Sequence, residues 1–173
     1  MSYLRFFLFF VILLEFNVAI AKPILRGKRG SYVVTEIVST TQAQAWAVLT
    51  DFTNQAVWAP DITQTTILRQ DDKGIKLANT YKAAYTFGIP IRVQLDIVMK
   101  PKRSFTYKLV HGDRLNSLQG SWEIVPGNNT VTLRHTINVK PQIPELLLPF
   151  YYEHQEQNLR QWMVILKRQI EKH

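Results

Sequence analysis

The spacing of hydrophobic residues along this chain changes twice, which divides it into three regions of predicted structure. The first region begins with residues 31–39, which are rich in β-branched side chains and predict a strand. Thr40 or Thr41 then predicts the cap of a short helix with hydrophobic residues at helical spacing. Residues 53–58 predict a further helical turn, which ends at Pro60. We therefore expect one strand followed by two short helices.

In residues 61–140 the hydrophobic period becomes two, which is typical of strands with one buried face. Five turn signals interrupt this region and predict about six consecutive antiparallel strands, a meander. The inward positions are rich in aromatic residues, whereas the alternate positions are mostly polar. One strand is predicted to carry inward residues from Leu77 through Tyr81 and Tyr85 to Phe87.

Pro141 and Pro144 predict the end of the meander, and Pro149 is suited to the first turn of a helix. From there to Lys172 the hydrophobic residues form one stripe, which predicts a helix about 36 Å long. The predicted fold class is α+β: a curved antiparallel sheet of about seven strands wraps around this C-terminal helix. A twisted sheet and a straight helix leave a tapered space between them, which is filled by side chains or holds a ligand.

The first 21 residues have the layout of a signal peptide. Arg5 precedes nine apolar residues, and alanines lie three and one positions before a predicted cleavage after Ala21. An uncleaved membrane anchor is the alternative, but Glu15 and Asn17 interrupt the apolar run well short of the roughly 20 residues that a spanning helix needs. We expect an exported protein, periplasmic if its host has two membranes. Residues 22–30 then form a basic flexible leader, and 31–173 form the single domain.

The formal net charge of +8 would ordinarily favour a nucleic-acid partner. Export argues against this, because exported proteins rarely meet RNA, so no nucleic-acid partner is expected. Much of the excess charge lies in the leader, at Lys22, Arg26, Lys28 and Arg29. The leader is either simply solvated or makes a peripheral contact with anionic lipid headgroups. Cysteine is absent, which excludes disulfides, thiolate metal sites and cysteine nucleophiles.

His135 and Asn79 are polar residues on the predicted inward face of the sheet. His135 is either hydrogen-bonded within the core or acts as an acid or base in a pocket. Asn79 either satisfies a backbone bulge or points its carbonyl at a ligand. No catalytic triad or metal-binding spacing is present, since His111 and Asp113 share one turn and His154 has no suitable partners on its helix. We therefore predict no metal, no cofactor and no catalytic residues.

Three stretches of sequence resemble the START-like helix-grip (SRPBCC) superfamily, and in particular its polyketide cyclase/dehydrase and lipid-transport branch, which is related to coenzyme-Q-binding START proteins. The resemblance covers roughly residues 31–172. It implies the helix-grip fold and a hydrophobic cavity between the sheet and the last helix, but no catalytic motif. Relatives often have an aromatic residue at the position of His135. The stretches are Gln44 to Phe52 with Trp58-Ala59-Pro60, Gly112-Asp113 with Gly120-Ser121-Trp122, and Val139-Lys140-Pro141 with Pro144 and Asn158-Leu159.

These observations favour an exported monomer that binds a hydrophobic small molecule, such as a lipid, a quinone or a polyketide-like compound. Two alternatives remain open. One is a cyclase or dehydratase that uses His135 with a tyrosine such as Tyr85 as acid/base groups. The other is a non-catalytic envelope interaction module with a closed cavity. The predicted ligand-binding residues are Trp58, Asn79, Tyr81, Tyr85, Phe105, Tyr107, Trp122, His135, Leu159 and Met163.

Overall fold

The structure, a computed structural model, describes residues 22–82 and 86–172. The predicted signal peptide (1–21) and Tyr85 lie outside the described residues. In chain order the elements are β1 (Ile24–Lys28), β2 (Ser31–Val38), α1 (Gln42–Thr50), α2 (Gln55–Trp58), β3 (Ile62–Asp71), β4 (Gly74–Tyr81), β5 (Ile91–Lys100), β6 (Ser104–Gly112), β7 (Leu115–Pro126), β8 (Val131–Pro141) and α3 (Leu148–Ile170).

The strands form one antiparallel sheet in the order β1-β2-β8-β7-β6-β5-β4-β3. β3 to β8 are the predicted six-stranded meander, and β2 joins the first part of the chain to its last strand. The predicted fold class is confirmed: a curved antiparallel sheet is combined with a long C-terminal helix and two short helices. Among residues 22–82 and 86–172, none of the helices has the length and apolar character that crossing a bilayer requires.

The sheet has eight strands rather than about seven, because part of the predicted flexible leader is ordered as β1. Its backbone pairs with β2 from Ile24 opposite Thr35 to Lys28 opposite Ser31. The two intervening residues, Arg29 and Gly30, both have positive φ, at 51° and 87°. Positive φ at both positions is the geometry of a tight type I′ hairpin turn. The prediction of a flexible leader is therefore wrong for Ile24–Lys28.

The first short helix begins as predicted. The Thr41 side chain accepts a hydrogen bond from the Gln44 backbone N–H, and the Gln44 side chain accepts one from the Thr41 N–H at 3.3 Å. This reciprocal capping box satisfies amide groups that the first helical turn leaves unpaired. The predicted second turn is present as a short 3₁₀ segment (Phe52–Asn54) followed by α2.

The two halves of α3 have different surroundings. The C-terminal half is packed into the core through Met163, Leu166 and Ile170, each at most 1% exposed. The Lys167 ammonium also lies 2.9 Å from the buried Glu36 carboxylate of β2. The N-terminal half of α3, in contrast, faces the middle strands of the sheet across an open space. The helix is therefore anchored at one end and borders a cavity at the other.

The strand predicted to continue to Phe87 ends at Tyr81. Thr86 to Ile89 instead form a turn, in which the Ile89 N–H donates to the Thr86 carbonyl at 3.1 Å. Phe87 has a positive φ of 56°, which a strand does not allow, and it is 42% exposed. The alternation of hydrophobic residues that predicts this strand therefore continues past its end at Tyr81.

Candidate ligand-binding site

A cavity of about 170 Å³ lies between strands β4 to β8 and the N-terminal half of α3. Its wall is mostly hydrophobic, with residues such as Val93, Leu118 and Ile137 contributed by the sheet. Two lining residues, Phe87 and Arg114, are exposed, so the cavity reaches the protein surface on their side. The space is where the curved sheet diverges from the straight helix.

Seven of the predicted binding residues line this cavity. Trp58 does not line it but packs edge-on against Trp162, whose ring does, at 5.0 Å between centroids. Met163 does not line it either, because it lies in the packed half of α3. Tyr85 lies outside the described residues. The seven lining residues are Asn79, Tyr81, Phe105, Tyr107, Trp122, His135 and Leu159.

His135 forms a compact group with two aromatic residues. Its Nε2 atom lies 2.8 Å from the Tyr107 hydroxyl, a buried hydrogen bond between β8 and β6. Its ring stacks on that of its cross-strand neighbour Trp122, with centroids 4.1 Å apart and planes 5° from parallel. Burial lowers the pKa of His135 to about 3, and burial raises the pKa of Tyr107 well above 10. Both groups are therefore neutral at pH 7.

Gly120 makes room for this group. It lies directly opposite Tyr107 in the pairing of β6 with β7. A Cβ atom at Gly120 would lie 2.3 Å from the Tyr107 hydroxyl and 2.2 Å from the Thr136 carbonyl. Both distances are far below van der Waals contact, so a larger residue would displace the tyrosine ring. The glycine allows Tyr107 to reach His135 across the intervening strand β7.

A second polar group ties the rim of the sheet to α3. The Asp61 carboxylate, only 4% exposed, accepts hydrogen bonds from the Asn158 amide at 2.9 Å and the Trp162 indole at 2.8 Å. On the neighbouring strand, Asn79 donates to the Tyr81 hydroxyl at 3.1 Å. Burial, and then the Asp61 charge, raise the pKa of Tyr81, so this phenol also stays neutral. These residues hold the helix against the start of β3.

Sequence reasoning missed several polar lining residues, including Asp61, Asn158 and Gln155. Gln155 occupies a position in the hydrophobic stripe of α3, four residues from both Tyr151 and Leu159. A polar residue that interrupts such a stripe is a signal that the sequence does contain. Asp61 had no comparable signal, because its burial depends on α3 closing over it.

The site can enclose an apolar molecule and present a few neutral hydrogen-bonding groups to it. Within the described part of the chain, no cluster of three or more histidine, aspartate or glutamate side chains is arranged to hold a metal ion. Several titratable groups on the cavity wall are paired with protein partners, as in Tyr107 with His135 and Asp61 with α3. The geometry of the cavity thus supports the binding of an apolar molecule.

Comparison with known proteins identifies the family. The family described as polyketide cyclase/dehydrase and lipid transport matches residues 29–171, which is most of the chain. The chain belongs to this family. No curated protein matches it significantly.

Solved structures of other proteins share the fold of this chain. An aromatase/cyclase, Zhui from Streptomyces sp. R1128, superimposes with a TM-score of 0.69 at 15% identity, covering 86% of this chain and 95% of that one. A START superfamily protein from Mycobacterium smegmatis gives a TM-score of 0.66 at 17% identity, covering 81% of this chain and 96% of that one. Major latex-like protein 151 from Panax ginseng gives a TM-score of 0.60 at 13% identity, covering 83% of this chain and 96% of that one. At such identities the similarity shows the helix-grip fold alone.

The burial of His135 in this polyketide cyclase-like domain predicts a specific loss of stability in acid. The unfolded histidine takes up a proton below its ordinary pKa of 6.5, whereas the folded one stays neutral until about pH 3. The free energy of unfolding should therefore fall as the pH drops through this window, by up to about 1.4 kcal/mol per pH unit from this residue. Urea unfolding of wild type and His135→Gln across the window measures the effect, and the variant should have the shallower pH dependence.

The exposed His111 provides the control, since His111→Gln should retain the wild-type pH dependence. If His135→Gln and wild type lose stability in parallel as the pH falls, His135 is not buried in the neutral form.

Proposed function

We propose that this protein is an exported binding or transport protein for a hydrophobic small molecule, such as a lipid, a quinone or a polyketide-like compound, held between the sheet and α3. The observation that carries the proposal is the mainly apolar cavity that reaches the surface beside Phe87 and Arg114. Removing apolar surface from water stabilises a complex by about 25 cal/mol per Å². A ligand that buries roughly 200 Å² would gain about 5 kcal/mol before the entropic cost of association.

Export is supported by the sequence of residues 1–21 and by where the fold begins. Cleavage after Ala21 would leave Lys22 as the first residue, and β1 starts at Ile24. The described sheet would therefore remain complete after removal of the signal peptide. Predicted export and a mainly apolar cavity would together suit a carrier in the periplasm.

Native mass spectrometry of protein purified from its own envelope tests this proposal. We expect a monomer that begins at Lys22 and carries a noncovalent adduct of lipid mass. Val93→Phe, which places a larger side chain on the cavity wall, should lose the adduct. Val98→Phe, an equal increase in size on the exposed face of the same strand, should keep it. Circular dichroism confirms that both variants fold.

Two results would contradict the proposal. Wild-type protein without any adduct would favour the interaction module with a closed cavity. A mass that still includes residues 1–21 would contradict cleavage of the signal peptide.

A cyclase or dehydratase is the second candidate, because His135 and Tyr107 form a hydrogen-bonded pair on the wall of the cavity. The structure thus offers His135 a different tyrosine from Tyr85, the one proposed from the sequence. General acid–base groups work best when their pKa is near the working pH. The pKa of His135 is far below that range and the pKa of Tyr107 far above it, which favours binding without a reaction.

Substitution of the pair separates the two candidates. In His135→Phe/Tyr107→Phe both polar partners are removed together, so no buried group is left unpaired. A binding protein should keep its affinity for an apolar fluorescent ligand within about threefold, or bind it more tightly, in a displacement titration. His111→Phe, at an exposed position, is the control. An acid–base role would be supported instead if a candidate polyketide substrate were turned over by wild type and lost turnover in the double variant.

We also propose that the protein makes a peripheral membrane contact through the predicted basic residues Lys22, Arg26, Lys28 and Arg29. The β1–β2 turn that carries Lys28 and Arg29 lies beside the end of β8, because the Gly30 carbonyl accepts from the Val139 N–H at 2.8 Å. Strand β8 ends at Pro141, which lines the cavity. The basic turn is therefore at the same end of the sheet as the cavity opening.

Exposed hydrophobic residues also lie near the cavity opening at this end of the sheet. Phe87 and Phe150 stack on one another at 5.3 Å and remain 42% and 39% exposed, and Leu146 is 89% exposed. Basic and exposed apolar side chains at one end of a protein are complementary to an anionic bilayer surface. Contact at this end of the sheet would bring the cavity opening to the lipid.

Lipid binding should therefore depend on Lys28 and Arg29. Reversing both charges, in Lys28→Glu/Arg29→Glu, should weaken binding to mixed phosphatidylglycerol and phosphatidylcholine vesicles at least about tenfold, since each basic residue near such a surface contributes about 1 kcal/mol. Co-sedimentation measures this, with pure phosphatidylcholine as the uncharged reference. Lys102→Glu/Arg103→Glu, in the β5–β6 turn at the opposite end of the sheet, makes the same change of charge and should have little effect. Equal losses in both double variants would contradict a contact at the cavity end.

A further inference from the structure

Gln155 is a buried polar residue whose side-chain oxygen has no hydrogen-bond partner in the described part of the chain. It lies on α3, is 6% exposed and lines the cavity. Its Oε1 atom is buried and accepts no hydrogen bond. An unsatisfied buried acceptor destabilises a folded protein, so native proteins rarely keep one without a reason.

Other polar side chains on the cavity wall are already occupied. His135 is paired with Tyr107, and Asp61 accepts from two residues of α3. Gln55, the second buried glutamine of the wall, donates to the Leu49 carbonyl at 3.3 Å. This contrast indicates that Gln155 is available to a bound molecule rather than to the protein.

The charges around the cavity restrict what that molecule can be. Among the described lining residues, the one permanent cation is Arg114, which is exposed at the rim. The interior contributes the Asp61 carboxylate, and His135 stays neutral because burial lowers its pKa to about 3. A carboxylate or phosphate enclosed beside Gln155 would have no cationic partner, and burying an unpaired charge is strongly unfavourable. An anionic head group beside Gln155 is therefore disfavoured.

We infer that Gln155 selects a neutral hydrophobic ligand that carries a hydroxyl group, and that the hydroxyl donates its hydrogen bond to the Gln155 carbonyl oxygen. This inference rests on the proposed binding function and specifies its ligand class. A hydroxyl suits the site better than a ketone or an ether, because those groups only accept hydrogen bonds whereas the free Oε1 needs a donor.

A matched set of probes tests the inference. A medium-chain primary alcohol, its methyl ether and the carboxylic acid of the same chain length compete with a hydrophobic fluorophore for purified, delipidated protein. Wild type should bind the alcohol about tenfold more tightly than the ether, which corresponds to about 1.4 kcal/mol, the size of one net hydrogen bond. It should also prefer the alcohol to the ionised acid.

Gln155→Leu introduces an apolar side chain of similar size. This variant should lose the preference, so that it binds the alcohol and the ether about equally. Its affinity for the ether should be equal or higher, and its melting temperature should not fall, because the variant buries no unpaired acceptor. Gln157→Leu is the matched control, since Gln157 lies exposed on the same helix, and it should keep the tenfold preference.

The outcomes separate this inference from the proposed function. If wild type binds the alcohol and ether equally, or if Gln155→Leu keeps the preference, the role of Gln155 is wrong while hydrophobic binding stands. Tighter binding of the acid than of the alcohol would likewise overturn a neutral head group. The comparison of the three probes is made on wild-type protein, so it does not depend on whether a variant folds. Failure of folded wild type to bind any of the probes would contradict both proposals.

Discussion

The structure depends on a mismatch in shape, because a straight helix can follow a twisted, curved sheet closely along only part of its length. The C-terminal half of α3 achieves that contact through Met163 and Leu166, and Lys167 adds an ion pair to β2. Towards its N-terminus the helix and the middle strands diverge, and Gln155 and Leu159 border the cavity. One helix therefore anchors the fold and forms a wall of the site.

The chemistry of that site follows from burial. Enclosure in an apolar interior keeps His135 and Tyr107 neutral and pairs them with each other, while Trp122 covers the imidazole ring. A site of this kind binds by excluding water and matching shape, with few groups ready to exchange protons at neutral pH. The family includes both enzymes and lipid carriers by its description, and this pairing is the reason to favour the carrier.

The proposals share one end of the molecule. The cavity opens beside exposed Phe87 and Arg114, the basic β1–β2 turn lies near the end of β8, and Gln155 lies in the half of α3 that begins at this end. A molecule that left a bilayer at this surface would enter the cavity directly, and its hydroxyl would reach the Gln155 oxygen inside. Ligand selection would then depend on polarity as well as on size.

The sequence by itself determined the six-stranded meander, the capped first helix and the long amphipathic helix, because hydrophobic periodicity reports which side of a local element is buried. For the same reason it identified Trp122 and His135 as inward-facing. It could not determine that Tyr107, rather than another tyrosine, reaches His135, that Met163 is packed while the Gln155 Oε1 atom accepts no hydrogen bond, or that β1 pairs with β2. Those facts depend on how distant segments close against one another, since a side chain's contacts across the core are set by the curvature of the sheet and the placement of α3, and no local pattern encodes either.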